Sequence, residues 1–269
     1  MTGPHGSATL PPPMPLLLPS WPLAAAVVAL AGLIDVVVGE PPDAIHPVVW
    51  MGRLIGLLER RRPQGRPSSE LLYGALIVVV TTTVSAAAAL ALTALLARLP
   101  WWLAVPIGGA ALKTTFSLRG LVRAGRAVEH ALETDAEDAA RDGLLALVSR
   151  SRDLEPPQIA SAAVESLAEN LTDSVVAPLL YAALFGLPGA FVYRSVNTMD
   201  AMIGYRGAYE RVGKPAARLD DVLNWLPARL TALLLTLLAW PTGRAREVRA
   251  CIASRPHAGT GPNKLVTIS

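Results

Sequence analysis

A stripe of acidic side chains is the strongest candidate for chemistry in this sequence. Glu165, Glu169 and Asp173 recur every fourth residue, which places them along one face of a helix. Like charges at this spacing cost about 0.2–0.5 kcal/mol per pair in an isolated helix, so a cation or a basic partner is expected to offset them. Together with Asn170, they are hard oxygen ligands of the kind that Mg²⁺ takes alongside substrate phosphates. The alternative is a solvated acidic face, which is less favoured because Asp173 leads directly into an apolar block.

A second polar segment follows that apolar block. Asn197 and Asp200 are three residues apart and therefore share a helix face. Arg194 and Arg206 flank them, and guanidinium groups can hold phosphate or carboxylate through two hydrogen bonds. An ordinary capped loop with surface charges is the alternative interpretation.

Adjacent aspartates lead into the last apolar block. Asp220 and Asp221 lie four and three residues before Asn224, so each can share a helix face with that amide. Acids that enter an apolar helix are costly unless they are coordinated or paired. Arg229 lies inside the same block, which indicates either a functional site or a structural ion pair with Asp35 or Asp221.

A fourth polar group follows the first apolar block. Gly39 is expected to end a helix there, and the prolines at 41 and 42 force an extended turn. This turn gathers Asp35, Glu40, Asp43 and His46 at one membrane edge. A histidine beside proline is more often structural than a ligand. The sequence contains no P-loop, GxGxxG turn, Ser-His-Asp set or HExxH helix.

The elements that must position these residues are predicted to be membrane helices. Hydrophobic residues make up 52% of the chain and charged residues 17%, below the roughly 25% that is typical of soluble domains. The fold class is therefore all-α, a multi-pass integral membrane protein. The fourth apolar block contains proline and glycine, which fits a broken or re-entrant helix as well as a simple span. The predicted apolar segments are 23–38, 71–99, 101–112 with a continuation to 118, 175–192 and 223–240.

Residues 113–174 are predicted to form a polar, cytoplasmic helical segment. Counting Lys and Arg in the loops places the N-terminus outside and residues 51–70 inside a cell (inner or plasma) membrane, but leaves the side of 193–222 open. The predicted organisation is a disordered Pro-rich lead-in at 1–20, one membrane domain at 21–250 and a short divergent or truncated tail at 251–269.

Composition argues against several functional classes. A net charge of +3, without basic runs interleaved with aromatic residues, argues against nucleic-acid binding. The single cysteine, Cys251, excludes an intrachain disulfide and a cysteine-based zinc cage. The sequence does not indicate an oligomeric state.

Four stretches, in order along the chain, resemble the CobD/CbiB family of cobalamin biosynthesis, the membrane-bound adenosylcobinamide-phosphate (cobinamide) synthases. They are GEPP at 39–42 with HPV at 46–48, ESLAENLTD at 165–173, NTMD at 197–200, and ARLDDVLNWLPAR at 217–229. The resemblance covers roughly residues 23–250. It implies ATP- and Mg²⁺-dependent ligation of aminopropanol, or its phosphate, to the propionate carboxyl of adenosylcobyric acid, with formation of an amide. The family commonly has Asp where Glu40 stands, and the acid is retained.

This activity suggests roles for the polar residues. Acids would hold ATP and metal and deprotonate the attacking ammonium, and arginines would hold phosphate or corrinoid carboxylate. The expected catalytic residues are Glu165, Glu169, Asp173, Asp220 and Asp221, of which Glu169, Asp173 and Asp221 bind the metal. The expected substrate-binding residues are His46, Asn170, Asn197, Asp200, Arg206, Asn224 and Arg229. A membrane transport component for a corrinoid or metal is the alternative function, and an inactive pathway scaffold is a third.

Overall fold

The fold is built from helices that run between proline and glycine breaks. The computed structural model describes residues 21–63, 65–134, 136, 142–143, 156–205, 207, 209–244 and 246, and within them every regular element is helical, as predicted. The helices are α1 (Trp21–Val37), α2 (Pro47–Glu59), α3 (Pro67–Leu96), α4 (Trp101–Lys113), α5 (Leu118–Glu133), α6 (Pro156–Leu171), α7 (Ala177–Ile203) and α8 (Lys214–Ala239). A 3-10 turn at Asp43–Ile45 precedes α2, and a π-helical segment at Thr172–Val176 joins α6 to α7.

Among the described residues, three apolar helical segments are long enough to cross a membrane. They are Pro67–Leu96, Ala162–Ile203 and Lys214–Ala239, with mean hydropathies of 2.3, 2.0 and 1.6. A helix of 30 residues is about 45 Å long, which exceeds the roughly 30 Å of the hydrocarbon core. The first predicted span is a shorter apolar helix, Pro22–Val37. These segments confirm the prediction of a multi-pass membrane protein.

The break between α1 and α2 is encoded by glycine and proline. Gly39 has a φ of 86°, in the left-handed region that glycine tolerates, and its N–H donates to the carbonyl of Ile34 over 3.1 Å. Two prolines then keep the chain extended before the 3-10 turn. The His46 side chain caps the next helix by accepting a hydrogen bond from Val48 N–H, and Pro47 occupies the first helical turn.

The third apolar block ends earlier than predicted. Helix α4 stops at Lys113, so the expected continuation to residue 118 is wrong. Lys113 Nζ donates a hydrogen bond to the carbonyl of Phe116, three residues later, and Ser117 N–H donates to the carbonyl of Ser174. These bonds satisfy the chain as it turns into α5. Lys113 and Phe116 are buried, so the segment predicted to be aqueous from residue 113 begins in the protein interior.

Helix α7 is broken at Gly186, which confirms the predicted interruption of the fourth block. Gly186 has a φ of 67° and a ψ of −160°, a conformation that is essentially restricted to glycine. The rings of Tyr181 and Tyr193 stack with their centroids 5.2 Å apart. Residues twelve apart in a straight helix are separated by about 18 Å. The two halves of α7 therefore fold against each other.

Three packing interfaces among the described helices hold the bundle together. Helices α1 and α4 lie side by side, and a Cβ added at Gly109 would lie 3.2 Å from Leu30, so the small residue allows a close approach. Helices α2, α3, α7 and α8 share an apolar core of Ile55, Ile77, Val196, Met199, Ile203, Val212 and Ala216. Helix α5 packs on α6 through Val128, Ala131, Ile159, Ala162 and Ala163.

Candidate functional site

A buried lysine connects the end of α1 with the turn that follows it. Lys113 Nζ lies 3.1 Å from Asp35 Oδ1 and 2.8 Å from Glu40 Oε1. Lys113 and Asp35 are each 1% exposed, and Asp35 Oδ2 also accepts a hydrogen bond from Arg119 N–H at 2.8 Å. Two carboxylates around one ammonium leave this group with a net negative charge. The structure corrects the sequence interpretation, because Asp35 pairs with Lys113 and not with Arg229.

Glu40 is held in its ionised form by its neighbours. Burial alone would raise the pKa of Glu40, but hydrogen bonds from Lys113, Ser117 and His46 outweigh it and lower the pKa below its ordinary value. His46 Nε2 lies 3.1 Å from Glu40 Oε2, and His46 Nδ1 accepts from Val48 N–H. This pattern fits a neutral imidazole that carries its proton on Nε2. The turn therefore presents an oriented, partly exposed carboxylate at the end of α1.

Arg194 of α7 lies between two acidic segments. Its guanidinium interacts electrostatically with Asp173 in the π-helical segment and with Glu40 after α1. Its NH1 donates to Asn197 Oδ1 at 3.3 Å, whereas the buried Nε has no hydrogen-bond partner among the described residues. A buried donor without a partner is costly, and such groups in native proteins call for a ligand or water. Arg194 is therefore the natural anion-binding group of the site.

A chain of hydrogen bonds fixes α8 against α7. The hydroxyl of Tyr193 donates to Asn224 Oδ1 at 2.8 Å, and Asn224 Nδ2 donates to Asp220 Oδ2 at 2.9 Å. Tyr193 also interacts electrostatically with Asp173 and Asp220. Tyr193, Asp220 and Asn224 are all buried. This network fixes the position of Asp220 on α8 relative to Tyr193 on α7.

A proline in α8 creates the acceptor for a second tyrosine. Pro227 has no N–H, so the carbonyl of Leu223, four residues earlier, loses its helical partner. The hydroxyl of Tyr181 donates to that carbonyl at 2.9 Å. The hydrogen bond from α7 therefore replaces the helical partner that the Leu223 carbonyl of α8 lacks.

The structure brings only some of the predicted site residues together. We call the charged and hydrogen-bonded side chains described above, from Asp35, Glu40 and Lys113 to Arg194 and Tyr193, the polar layer. The predicted site residues that belong to it are His46, Asp173, Asp220, Asn224 and Asn197. The other predicted site residues are Glu165, Glu169 and Asn170 on α6, Asp200 on α7 and Asp221 on α8, and their roles stay predictions. Arg206 lies outside the described residues.

Arg229 is directed away from the polar layer. Its NH1 donates to the carbonyl of Trp225, and its guanidinium carbon lies 3.9 Å from the centre of the Trp225 ring. The predicted ion pair with Asp35 is therefore wrong. A guanidinium stacked on an exposed tryptophan of its own helix is typical of the edge of a membrane helix.

The three predicted metal ligands do not converge by themselves. Within the described residues, no group of three or more His, Cys, Asp or Glu side chains is placed to hold a metal ion, and these residues include Glu169, Asp173 and Asp221. Mg²⁺ that arrives with phosphates needs only one or two protein carboxylates. The acids around Arg194 and Tyr193, namely Asp173 and Asp220, fit that smaller requirement.

Sequence reasoning missed the two cations that organise the site. Lys113 was treated as the end of an apolar block, although a lysine inside a hydrophobic segment of a membrane protein already indicates a buried partner. The sequence indicates that Arg194 can hold phosphate or carboxylate, but the predicted substrate-binding arginines are Arg206 and Arg229. The break at Gly186 separates the half of α7 that carries Arg194 from the half that follows Asp173.

Comparison with known proteins now identifies the family. The sequence model described as CobD/Cbib protein matches residues 28–269. The chain belongs to the CobD/Cbib family. This confirms the resemblance found in the four sequence motifs.

Relatives in this family are similar over most of the chain. The cobalamin biosynthesis protein CobD of Dehalococcoides mccartyi is 40% identical over 212 residues, 78% of this chain and 69% of the relative. The probable cobalamin biosynthesis protein CobD of Pyrococcus abyssi is 45% identical over 213 residues, 77% of this chain and 69% of the relative. The counterpart of Archaeoglobus fulgidus is 42% identical over 222 residues, 81% and 72% of the two chains. No solved structure matches the chain.

Proposed function

We propose that this protein acts in cobalamin biosynthesis as an ATP-dependent amide ligase in the cell membrane. It would join aminopropanol, or its phosphate, to the propionate carboxyl of adenosylcobyric acid. Two findings support the proposal: the family to which the chain belongs, and a polar layer of paired charges inside a membrane bundle. Ionisable groups within membrane segments are expensive and indicate a functional site.

The observation that carries the proposal is the position of Arg194. Its guanidinium has an unused buried donor and lies between carboxylates from two other parts of the chain. A planar fork of donors binds a carboxylate or a phosphate oxygen pair. Arg194 would hold the reacting carboxylate or the phosphoryl group that activates it. It takes over the role that the sequence suggested for Arg206 and Arg229.

The neighbouring acids would handle the amine. The amine arrives as an ammonium ion and must lose a proton before it attacks. Glu40 is kept ionised by Lys113, Ser117 and His46, so it would orient the ammonium as a fixed counter-charge. Asp220 is buried and interacts electrostatically with Tyr193, and it would accept the proton.

The reaction balances as a ligation coupled to ATP cleavage. A carboxylate oxygen takes the terminal phosphoryl group of ATP, and ADP leaves. The amine nitrogen then forms a bond to the carbonyl carbon, the bond from that carbon to the phosphorylated oxygen breaks, and phosphate leaves with release of one proton. Mg²⁺ would neutralise charge on the ATP phosphates, and Asp173, which interacts electrostatically with Arg194, would be its protein ligand. Arg194 would stabilise the negative charge that moves toward the leaving phosphate.

The experiment uses the full chain, purified in detergent and reconstituted into lipid nanodiscs. Adenosylcobyric acid, ATP, Mg²⁺ and either amine are supplied, and mass spectrometry of the corrinoid measures amide formation. We expect a corrinoid heavier by the amine minus one water, with ATP consumed in equal amount. Arg194→Lys keeps the charge but loses the planar fork, and we expect kcat/KM to fall by about 10- to 100-fold. Arg60→Lys, at an exposed position after α2, is the matched control and should retain activity.

Two results would contradict the proposal. One is an unchanged corrinoid mass with every amine and nucleotide tested, while the folded protein still binds corrinoid. The other is corrinoid uptake into sealed vesicles without covalent change, which would indicate a transport component. Complementation of a strain that lacks the synthase separates both from an inactive scaffold.

A further inference from the structure

A groove lies beside the end of α1, outside the polar layer. Its volume is about 370 Å³, and it is lined by Val36, Leu118, Val122, Arg119, Arg123 and Arg126. Three of these residues are apolar and three are arginines, and no acidic side chain among the described residues lines the groove. The proposed ligation makes no use of this groove.

The three arginines belong to one face of α5. Arg119, Arg123 and Arg126 are spaced by four and three residues, so they project from the same side of the helix. Arg119 is held in place, because its NH1 donates to the carbonyl of Val37 at 2.9 Å. Arg123 and Arg126 form no ion pair with any other residue that the structure describes. The helix thus concentrates positive charge that the protein does not neutralise.

The apolar half of the groove continues onto a membrane-facing surface. Val36, Val37 and Val38 at the end of α1 are 62%, 64% and 69% exposed, and Leu118 and Val122 on α5 are 39% and 44% exposed. Exposed valines in a row are unfavourable in water but suit the boundary between headgroups and acyl chains. The opposite face of α5 is buried on α6, so α5 is fixed in its orientation.

We infer that this groove binds an anionic phospholipid, with the phosphate held by the arginines and an acyl chain along the valines. Guanidinium groups bind phosphate through paired donors, and basic residues beside a membrane helix attract anionic headgroups. A water-soluble anion would leave the apolar wall exposed, whereas a neutral lipid would leave the charges unmatched. An amphiphile with a negative head satisfies both halves.

The test compares lipid binding by native mass spectrometry of the full chain, delipidated in detergent. Phosphatidylglycerol and phosphatidylcholine of equal chain length are titrated against wild type and the double variant Arg123→Gln, Arg126→Gln. Arg119 is left intact because it ties α5 to α1. We expect phosphatidylglycerol to bind more tightly than phosphatidylcholine, and its affinity to fall about 30-fold in the double variant. Arg60→Gln, Arg61→Gln, two arginines that follow α2, is the matched control and should bind like wild type.

Three results would overturn the inference. The first is equal affinity of wild type for the two lipids, and the second is unchanged phosphatidylglycerol binding in the double variant. The third is displacement of phosphatidylglycerol by ATP or inorganic triphosphate at low concentration, which would make the groove a nucleotide subsite. The unfolding midpoint of the double variant in lipid-free detergent verifies that it is folded. A binding loss accompanied by a lower midpoint there would also count against the inference.

Discussion

Replacing Lys113 with methionine tests the central claim that a buried cation holds the polar layer together. Methionine keeps the length and apolar stem of the side chain but removes the ammonium. Asp35, which is 1% exposed, would then keep only the hydrogen bond from Arg119 N–H at 2.8 Å. Glu40 would lose its closest cation, at 2.8 Å. The variant therefore tests the effect of the ammonium charge while it nearly preserves the side-chain volume.

The magnitude follows from the burial of the two pairs. Removing one partner of a buried ion pair costs about 3–5 kcal/mol, because the remaining charge stays out of water. The pair of Lys113 and Asp35 meets that condition on both sides. The Glu40 side chain is 44% exposed, so its pair with Lys113 is screened and contributes at most about 1 kcal/mol. We expect Lys113→Met to lower the free energy of unfolding by about 3–5 kcal/mol, mostly through Asp35.

The assay is equilibrium unfolding in mixed micelles, with tryptophan fluorescence as the signal. Arg98→Met, which removes an exposed cation in the turn between α3 and α4, is the matched control and should change the unfolding free energy by less than about 0.5 kcal/mol. Asp35→Asn combined with Lys113→Met removes both charges. We expect the double variant to be more stable than Lys113→Met alone, because no buried charge is left without its partner.

One outcome would refute this reasoning. If Lys113→Met and Arg98→Met unfold at the same denaturant concentration, the ammonium does not stabilise the fold. The reasoning would also be refuted if the effects of Asp35→Asn and Lys113→Met on the free energy of unfolding simply add in the double variant, because additivity means that Lys113 and Asp35 do not interact.

Three further predictions follow from single contacts. Gly74→Ala should prevent proper packing of α3, because a Cβ there overlaps the carbonyl oxygen of Val212. Gly56→Ala is the comparison: its Cβ meets open space, and it should raise the free energy of unfolding by about 0.5–1 kcal/mol in the same assay. The folded-state pKa of Glu40 is lowered, so the stabilisation from its charge is present above pH 4.5 and is lost as the pH falls through the folded pKa. Glu40→Gln should therefore flatten the acid side of the curve of unfolding free energy against pH. An unchanged acid side would contradict this. Tyr193→Phe removes a buried donor and should cost about 1–3 kcal/mol; unfolding at the wild-type midpoint would show that its hydroxyl is unimportant.

The sequence predicts the helical elements well because their boundaries are local. Proline and glycine at 39–42 and at 186–189 break helices through backbone geometry alone, and the structure breaks there. The long apolar blocks at α3 and α8 are set by hydropathy, which is also a local property. The end of α4 was wrong because it depends on a contact across the chain, from Ser117 to Ser174.

Partners across the chain are what local patterns cannot supply. Residues 160, 163, 164, 167, 168 and 171 have the spacing of one apolar helix face, which predicts that Val164 is buried. The structure leaves Val164 56% exposed and buries Ala162 and Ser166 instead. The apolar stripe of a helix with many alanines is too weak to define its rotation. The position of α5, which packs on Ala162 and Ala163, decides it. Tertiary contacts therefore rotate a helix that the pattern places only approximately.

The charged residues show the same limit most clearly. The sequence offers Asp35 and Asp221 as alternative ion-pair partners of Arg229. The structure pairs Asp35 with Lys113, because α1 and α4 lie side by side and end at the same level, while Arg229 stacks on Trp225. The buried carboxylate of Asp35 thus pairs with a cation on the helix that lies directly beside it. In this bundle the ends of two short helices, rather than the middle of a long one, therefore place the cation beside the acidic turn.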